Sequence, residues 1–118
     1  MPTKISRVTL KGTVDSSGEV SVVSENTYIG LVKAVSIEYP DNSVEVDITT
    51  VENVNQTILE LSASSTDEVY YPRTDSHDTD GSSGGSEVCF AISGRLKLEC
   101  ANGTEDDEVK VNVLVEEF

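Results

Sequence analysis

Val44-Glu45-Val46-Asp47-Ile48 sets an acidic residue between aliphatic ones at every step. Successive side chains of an extended chain point to opposite faces, so Val44, Val46 and Ile48 share one face and Glu45 and Asp47 the other. A helix would scatter the same residues around its circumference. The run is therefore a strand with one side in a core and one in water. Just upstream, Pro40-Asp41-Asn42 is a strong turn signal. Before that turn, Ile29, Leu31, Val35, Ile37 and Tyr39 share one parity, interrupted by Lys33. Residues 28 to 51 read as a hairpin of two strands.

The same period of two continues on both sides. Val8, Leu10, Gly12 and Val14 alternate with polar residues, Asp15-Ser16-Ser17-Gly18 turns, and Val20, Val22 and Val23 return, an opening hairpin. Leu59 and Leu61 mark a short strand, with Ile58 and Glu60 on its other face. Val88 to Ile92 is a further strand, ended by Ser93-Gly94. Leu96, Leu98 and Cys100 alternate with Arg95, Lys97 and Glu99. Asn102-Gly103 is a hairpin signal, and Val109, Val111, Val113 and Val115 close the series. Eight or nine short strands with no helical segment predict a single all-β domain over residues 1–118, an antiparallel β-sandwich or flattened barrel. Its expected core is Val44, Val46, Ile48, Leu96, Leu98, Val109, Val111 and Val113.

One stretch departs from this pattern. Tyr70 to Glu87 holds two of the four tyrosines, the single histidine and many Gly, Ser and Asp residues. It reads as one long irregular loop, and loops of that length in a small domain are usually functional or disordered. Inside it, Ser76, Asp78, Asp80, Gly81 and Glu87 fall at the spacing of a calcium-binding loop. The first ligand is Ser where Asp is usual and no helices flank the loop, so the expectation is no cofactor, with calcium a weak candidate. His77, between acidic residues, lacks an identifiable nucleophile partner, and no catalytic constellation emerges: the chain is not expected to be an enzyme. Tyr70, Tyr71 and Arg73 have interface composition, and with His77 they are candidate interface residues.

The formal net charge is −14, which argues against a nucleic-acid partner. Residues 1–34 carry a net +1, from Lys4, Arg7, Lys11 and Lys33 against three acids, and the remainder carries −15. Lys4, Arg7 and Lys11 are therefore candidate docking residues, with residues 1–7 as a candidate extended arm. No apolar run is long enough for a membrane span, and no signal-peptide core follows Met1. Without an export signal, Cys89 and Cys100 are expected as free thiols.

Tyr70-Tyr71-Pro72-Arg73, then His77-Asp78, then Ala91-Ile92-Ser93-Gly94-Arg95-Leu96-Lys97-Leu98 resemble a pattern in small all-β virion structural proteins of tailed bacteriophages. The resemblance covers roughly residues 57 to 116. It implies a virion component, a capsid decoration (cement) protein that binds the outer shell and stabilises it. The implied partners are the major capsid protein and other copies of the chain, with a trimer suited to three-fold positions. The implied location is the outer capsid surface, after synthesis in the host cytoplasm. The alternatives are another virion part (head–tail connector, tail or fibre-associated domain) or a carbohydrate- or calcium-dependent binding module.

Overall fold

A computed structural model of the chain describes residues 4–118. Among these residues there are ten strands and no helix: β1 (Lys4–Thr13), β2 (Val20–Val23), β3 (Tyr28–Glu38), β4 (Val44–Val51), β5 (Thr57–Ser64), β6 (Glu68–Tyr70), β7 (Thr74–His77), β8 (Ser83–Val88), β9 (Ala91–Ala101) and β10 (Glu108–Glu117). All pairings are antiparallel. Sheet A has the order β1-β10-β3-β6 and sheet B the order β2-β9-β4-β5. The first residues of β9 also pair with the first of β3, Tyr28↔Gly94 to Leu31↔Ala91, which joins the sheets along one seam. β7 and β8 form a separate two-stranded sheet.

The eight expected core residues are all fully buried, and they come from both sheets. The sandwich reading of the sequence therefore holds, with its aliphatic faces turned inward. The pairing of strands does not follow the turns. Residues 28–51 are not a hairpin, because β3 pairs with β10, β6 and β9 while β4 pairs with β5 and β9. The opening hairpin and the Asn102-Gly103 hairpin fail for the same reason: β1 pairs with β10, and β2 with β9. Each of these turns is an arch from one sheet to the other.

Matching the two sheet orders shows the rule. β1 connects to β2, β10 to β9, β3 to β4 and β6 to β5, so every strand of sheet A is joined by an arch to the strand at the same position in sheet B. The arches run side by side and bond to one another. Gly103 N–H donates to the Gly18 carbonyl (2.9 Å), Asp106 N–H to the Val14 carbonyl (2.9 Å) and Tyr39 N–H to Asp67 Oδ1 (2.8 Å). This rolled arrangement of eight strands in two four-stranded sheets is the jelly-roll topology. The β7–β8 hairpin is an insertion between its sixth and seventh strands.

Two irregularities explain where alternation misleads. Leu114 pairs with Ala34 but Val115 pairs with Val32, so Lys33 is an extra residue in β3. This bulge flips the parity of everything before it. Val35 and Ile37 face the core as expected, whereas Ile29 is 55% exposed and Val32 takes the inward place. Ile58 is likewise extra between Ile48↔Leu59 and Thr49↔Thr57, which turns Ile58 inward beside half-buried Leu59. Ser93-Gly94 does not end a strand. β9 runs through it, because a Gly94 without Cβ lets the Val51 carbonyl approach where a Cβ would meet it at 2.5 Å.

Candidate docking surfaces

Pairing register places the outward residues of sheet A in rows. Ile5, Glu116 and Leu31 form one row, Arg7, Leu114 and Ala34 the next, then Thr9, Asn112 and Ser36, then Lys11, Lys110 and Glu38. Val69 of β6 extends the third row opposite Ser36. Ile5, Ile29, Val69 and Phe118 are each more than half exposed. Phe118 N–H donates to the Ile29 carbonyl, which holds the chain at Phe118 against the start of β3. One end of this face is thus largely apolar and the other carries Lys11 and Lys110, each beside a Glu, an interface composition with Arg7 at the boundary.

The cations are partly paired. Lys4 lies 3.9 Å from Glu117, Lys11 3.5 Å from Glu108 and Lys110 3.7 Å from Glu38. All three pairs lie at the surface, with only Glu117 half-buried, and contribute little to stability. β1 itself carries Lys4, Arg7 and Lys11 and no acid. Its outer edge has no partner among the described strands. Residues 1–3 lie outside the described residues, so the arm reading covers them only by sequence. From Lys4 on, the proposed arm is the start of β1, paired to β10 from Lys4↔Glu117.

The outer face of sheet B is mainly acidic, with Lys97 3.4 Å from Glu99. Glu99, Asp47 and Glu60 stand directly opposite one another across three strands. Burial, then Glu60, Glu99 and Glu45, push the Asp47 carboxyl above the usual carboxylate range. A cleft of 370 Å³ beside this row is lined by Asp15, Glu19, Glu45, Asp47 and Glu99, with Cys100 at its wall. Burial, and then the Asp47 charge, raise the Cys100 thiol to about 11. Cys89 and Cys100 are free thiols, separated along the length of β9. The acidic row was hidden in the sequence, because Glu99 and Glu60 come beside Asp47 only once β4 is known to pair with β9 and β5.

The Tyr70–Glu87 segment is not irregular throughout. Thr74 pairs with Val88, Asp75 with Glu87 and His77 with Ser83, with a bulge between. Asp78 to Ser82 form the tip. There Asp80 Oδ1 accepts from Ser82 N–H (3.0 Å) and Ser82 Oγ (2.6 Å), bonds that hold its carboxyl below the usual range. The calcium reading requires Ser76, Asp78, Asp80 and Glu87 to converge. Instead Glu87 sits near the root beside Asp75, and Ser76 Oγ donates to the Ser86 carbonyl (3.0 Å). Among the described residues no group of three or more His, Cys, Asp or Glu is placed to hold a metal ion.

The remaining candidates lie at the hairpin root. Tyr70 is half-buried against the core and its hydroxyl donates to Glu68 Oε2 (2.8 Å), Pro72 is buried, and Tyr71 is 66% exposed. Arg73 is exposed, its guanidinium donating to the Pro72 carbonyl (2.8 Å), and His77 is exposed in β7. Tyr70 pairs with Val35, and Phe90, where the chain returns, accepts from Val32 N–H (2.9 Å). The hairpin therefore leaves from the edge of β3 opposite to the side where β10 and β1 lie. Lys4, Arg7 and Lys11 are thus on one side of sheet A, and Tyr70, Tyr71, Arg73 and His77 on the other.

No family model matches the chain, and no curated protein matches it. Among solved structures, it is similar to a chain in the structure of infectious bursal disease virus Gx strain, with a TM-score of 0.38 and 9% sequence identity. The match takes in 98% of this chain and 41% of that one, so this chain spans less than half its length. A likeness at that level assigns neither a fold nor a role.

Proposed function

We propose that this chain is a non-enzymatic structural component of a virion, a capsid decoration protein. It lies on the outer surface of an assembled shell and binds the major capsid protein through the outer face of sheet A. The observation that carries the reading is that face: four apolar side chains more than half exposed, Ile5, Ile29, Val69 and Phe118, beside Arg7, Lys11 and Lys110 in a chain of net charge −14. Exposed apolar area with Arg at its margin is what a docking surface offers, and the acidic outer face of sheet B is suited to solvent. The jelly roll is an architecture of viral capsid and lectin domains, a fold-level analogy that supports the reading. The sequence resemblance over residues 57 to 116 points the same way.

The test mixes purified protein with undecorated shells and measures occupancy. Ile29→Asp with Phe118→Asp, two exposed positions, should lower occupancy at least several-fold with the melting temperature retained. Unchanged occupancy refutes the docking face. Copy number in purified particles separates decoration from a connector or tail part, since a shell carries a decoration protein in hundreds. Binding to immobilised glycans instead of shells would favour the lectin-type use of the same fold.

A further inference from the structure

We propose that the β7–β8 hairpin of one copy pairs edge to edge with β1 of a second copy, continuing sheet A from chain to chain. This deepens the reading above by naming the surface through which copies join, and its test involves no shell.

The two halves of the contact are both on the molecule and both unused. β1 is ten residues long and, among the described strands, pairs only with β10. Its other edge presents a row of unpaired backbone groups, a template for strand addition. That edge is one wall of a groove along the side of the sandwich. The groove comprises a cleft of 560 Å³ bordered by Lys4–Arg7, Asn26–Tyr28 and Glu117 and one of 400 Å³ bordered by Arg7–Lys11, Val22–Asn26 and Tyr28, so its cations Lys4, Arg7 and Lys11 outnumber its acids Glu25 and Glu117. It follows β1 over eight residues, more than the six of β8. The hairpin strands pair only with each other among the described strands, and every residue of β8 is exposed. A lone two-stranded hairpin of Gly, Ser and Asp is marginal in water, so a third strand offers it the hydrogen bonds and order it lacks.

Charge selects this pairing over others. The charged residues of β1 are all cations: Lys4, Arg7 and Lys11. Between Thr74 and Val88 the hairpin carries Asp75, Asp78, Asp80 and Glu87 and no Lys or Arg. Of the other sheet edges, β5 carries Glu60 and β6 carries Glu68, neither with a cation, and β2 is four residues long with no charged residue, so none matches the acidic hairpin as β1 does. The hairpin leaves sheet A on the side away from β1, with β3 and β10 between, so it extends toward a neighbour rather than its own β1. Such a contact is head-to-tail. Repeated, it closes a ring if the rotation per copy allows and otherwise propagates as a chain.

The experiment measures self-association of the full chain by sedimentation velocity, without shells. Wild type is expected to assemble. Lys4→Glu with Arg7→Glu and Lys11→Glu should weaken assembly on the order of tenfold or more, with the fold verified by circular dichroism. Asp75→Lys with Asp78→Lys and Glu87→Lys should do the same, although it brings the net charge closer to zero and so lowers general repulsion. Combining both sets in one chain restores complementarity and should restore assembly. A monomeric wild type at about 100 μM, which corresponds to binding weaker than roughly −5.5 kcal/mol, overturns the pairing. So does wild-type assembly by either reversal, or failure of the combined chain to recover. A monomer that still decorates shells defeats the pairing alone; an assembling protein that never binds shells defeats the decoration reading alone.

Discussion

Replacing Asp47 by Asn should stabilise the domain at neutral pH. Asp47 stands between Glu99 and Glu60 in one cross-strand row, with Glu45 two residues away on the same face. Directly opposed cross-strand pairs are worth roughly 0.2–1 kcal/mol, and like charges count against the sheet. Two such neighbours give a gain of about 0.5–2 kcal/mol on neutralising the central one, or a rise in melting temperature of about 2–8 °C for a domain this size. The Leu61 N–H that bonds the Asp47 carboxylate can equally be accepted by an Asn side-chain carbonyl, so the substitution removes charge and little else. The sign with pH follows from the raised folded-state pKa. The penalty is fully present above that pKa, fades as pH falls through it, and is gone below the ordinary 3.8, where Asp47 is protonated in both states. Urea unfolding of both proteins from pH 7 to 3.5 at low salt is the assay, and the gap should shrink on acidification and with added salt. A variant no more stable than wild type at pH 7, or a gap that ignores pH, would refute the charge argument.

Glu52 has the opposite sign. Burial raises its pKa, but bonds from Gln56 Nε2, Ser93 N–H and Thr50 Oγ1 together hold it below 4.5. Glu52→Gln should therefore cost about 1–2 kcal/mol at pH 7, and wild type should lose that advantage as pH falls through the depressed pKa, as checked by the same unfolding series. A Cβ on Gly30 would lie 2.0 Å from the Glu116 carbonyl oxygen, so Gly30→Ala should destabilise by about 1–3 kcal/mol, read from its urea midpoint. Val111→Asp places an unpaired charge where no solvent reaches and should leave the chain unfolded by circular dichroism, a loss of more than about 4 kcal/mol. Millimolar calcium should leave the melting temperature unmoved, because Glu87 and Asp80 sit at opposite ends of the hairpin.

The strands and the core were legible because alternation is local. Val44, Val46 and Ile48 must share a face whatever they pair with. Partnership is not local. A four- or five-residue turn such as Tyr39–Ser43 suits a hairpin within a sheet or an arch between sheets, and both bury the same aliphatic faces. The choice is made by β10, which takes the places beside β1 and β3 from about seventy to a hundred residues away. Lys33 was visible as an interruption, yet only the register shows it to be a bulge that exposes Ile29. Composition marked the Tyr70–Glu87 segment as separate from the core, which holds for β7 and β8 but not for Tyr70 and Pro72, and it missed the pairing, since backbone hydrogen bonds hold β7 and β8 without an apolar face. For the docking face, Arg7 and Lys11 were readable as strand cations. Their apolar neighbours Ile29 and Phe118 arrive from β3 and from the end of the described chain, which spacing alone does not reveal.

The placement of β10 has a consequence for biosynthesis. It is the last strand of the domain to leave the ribosome, yet it lies between β1 and β3, inside sheet A. Until Glu108–Glu117 has emerged, β1 has no strand to pair with and β3 lacks its partner along one edge. The domain cannot close progressively from its leading end. The nascent chain stays an open, aliphatic, aggregation-exposed polymer until synthesis of this segment is complete, then folds through its most distant contacts.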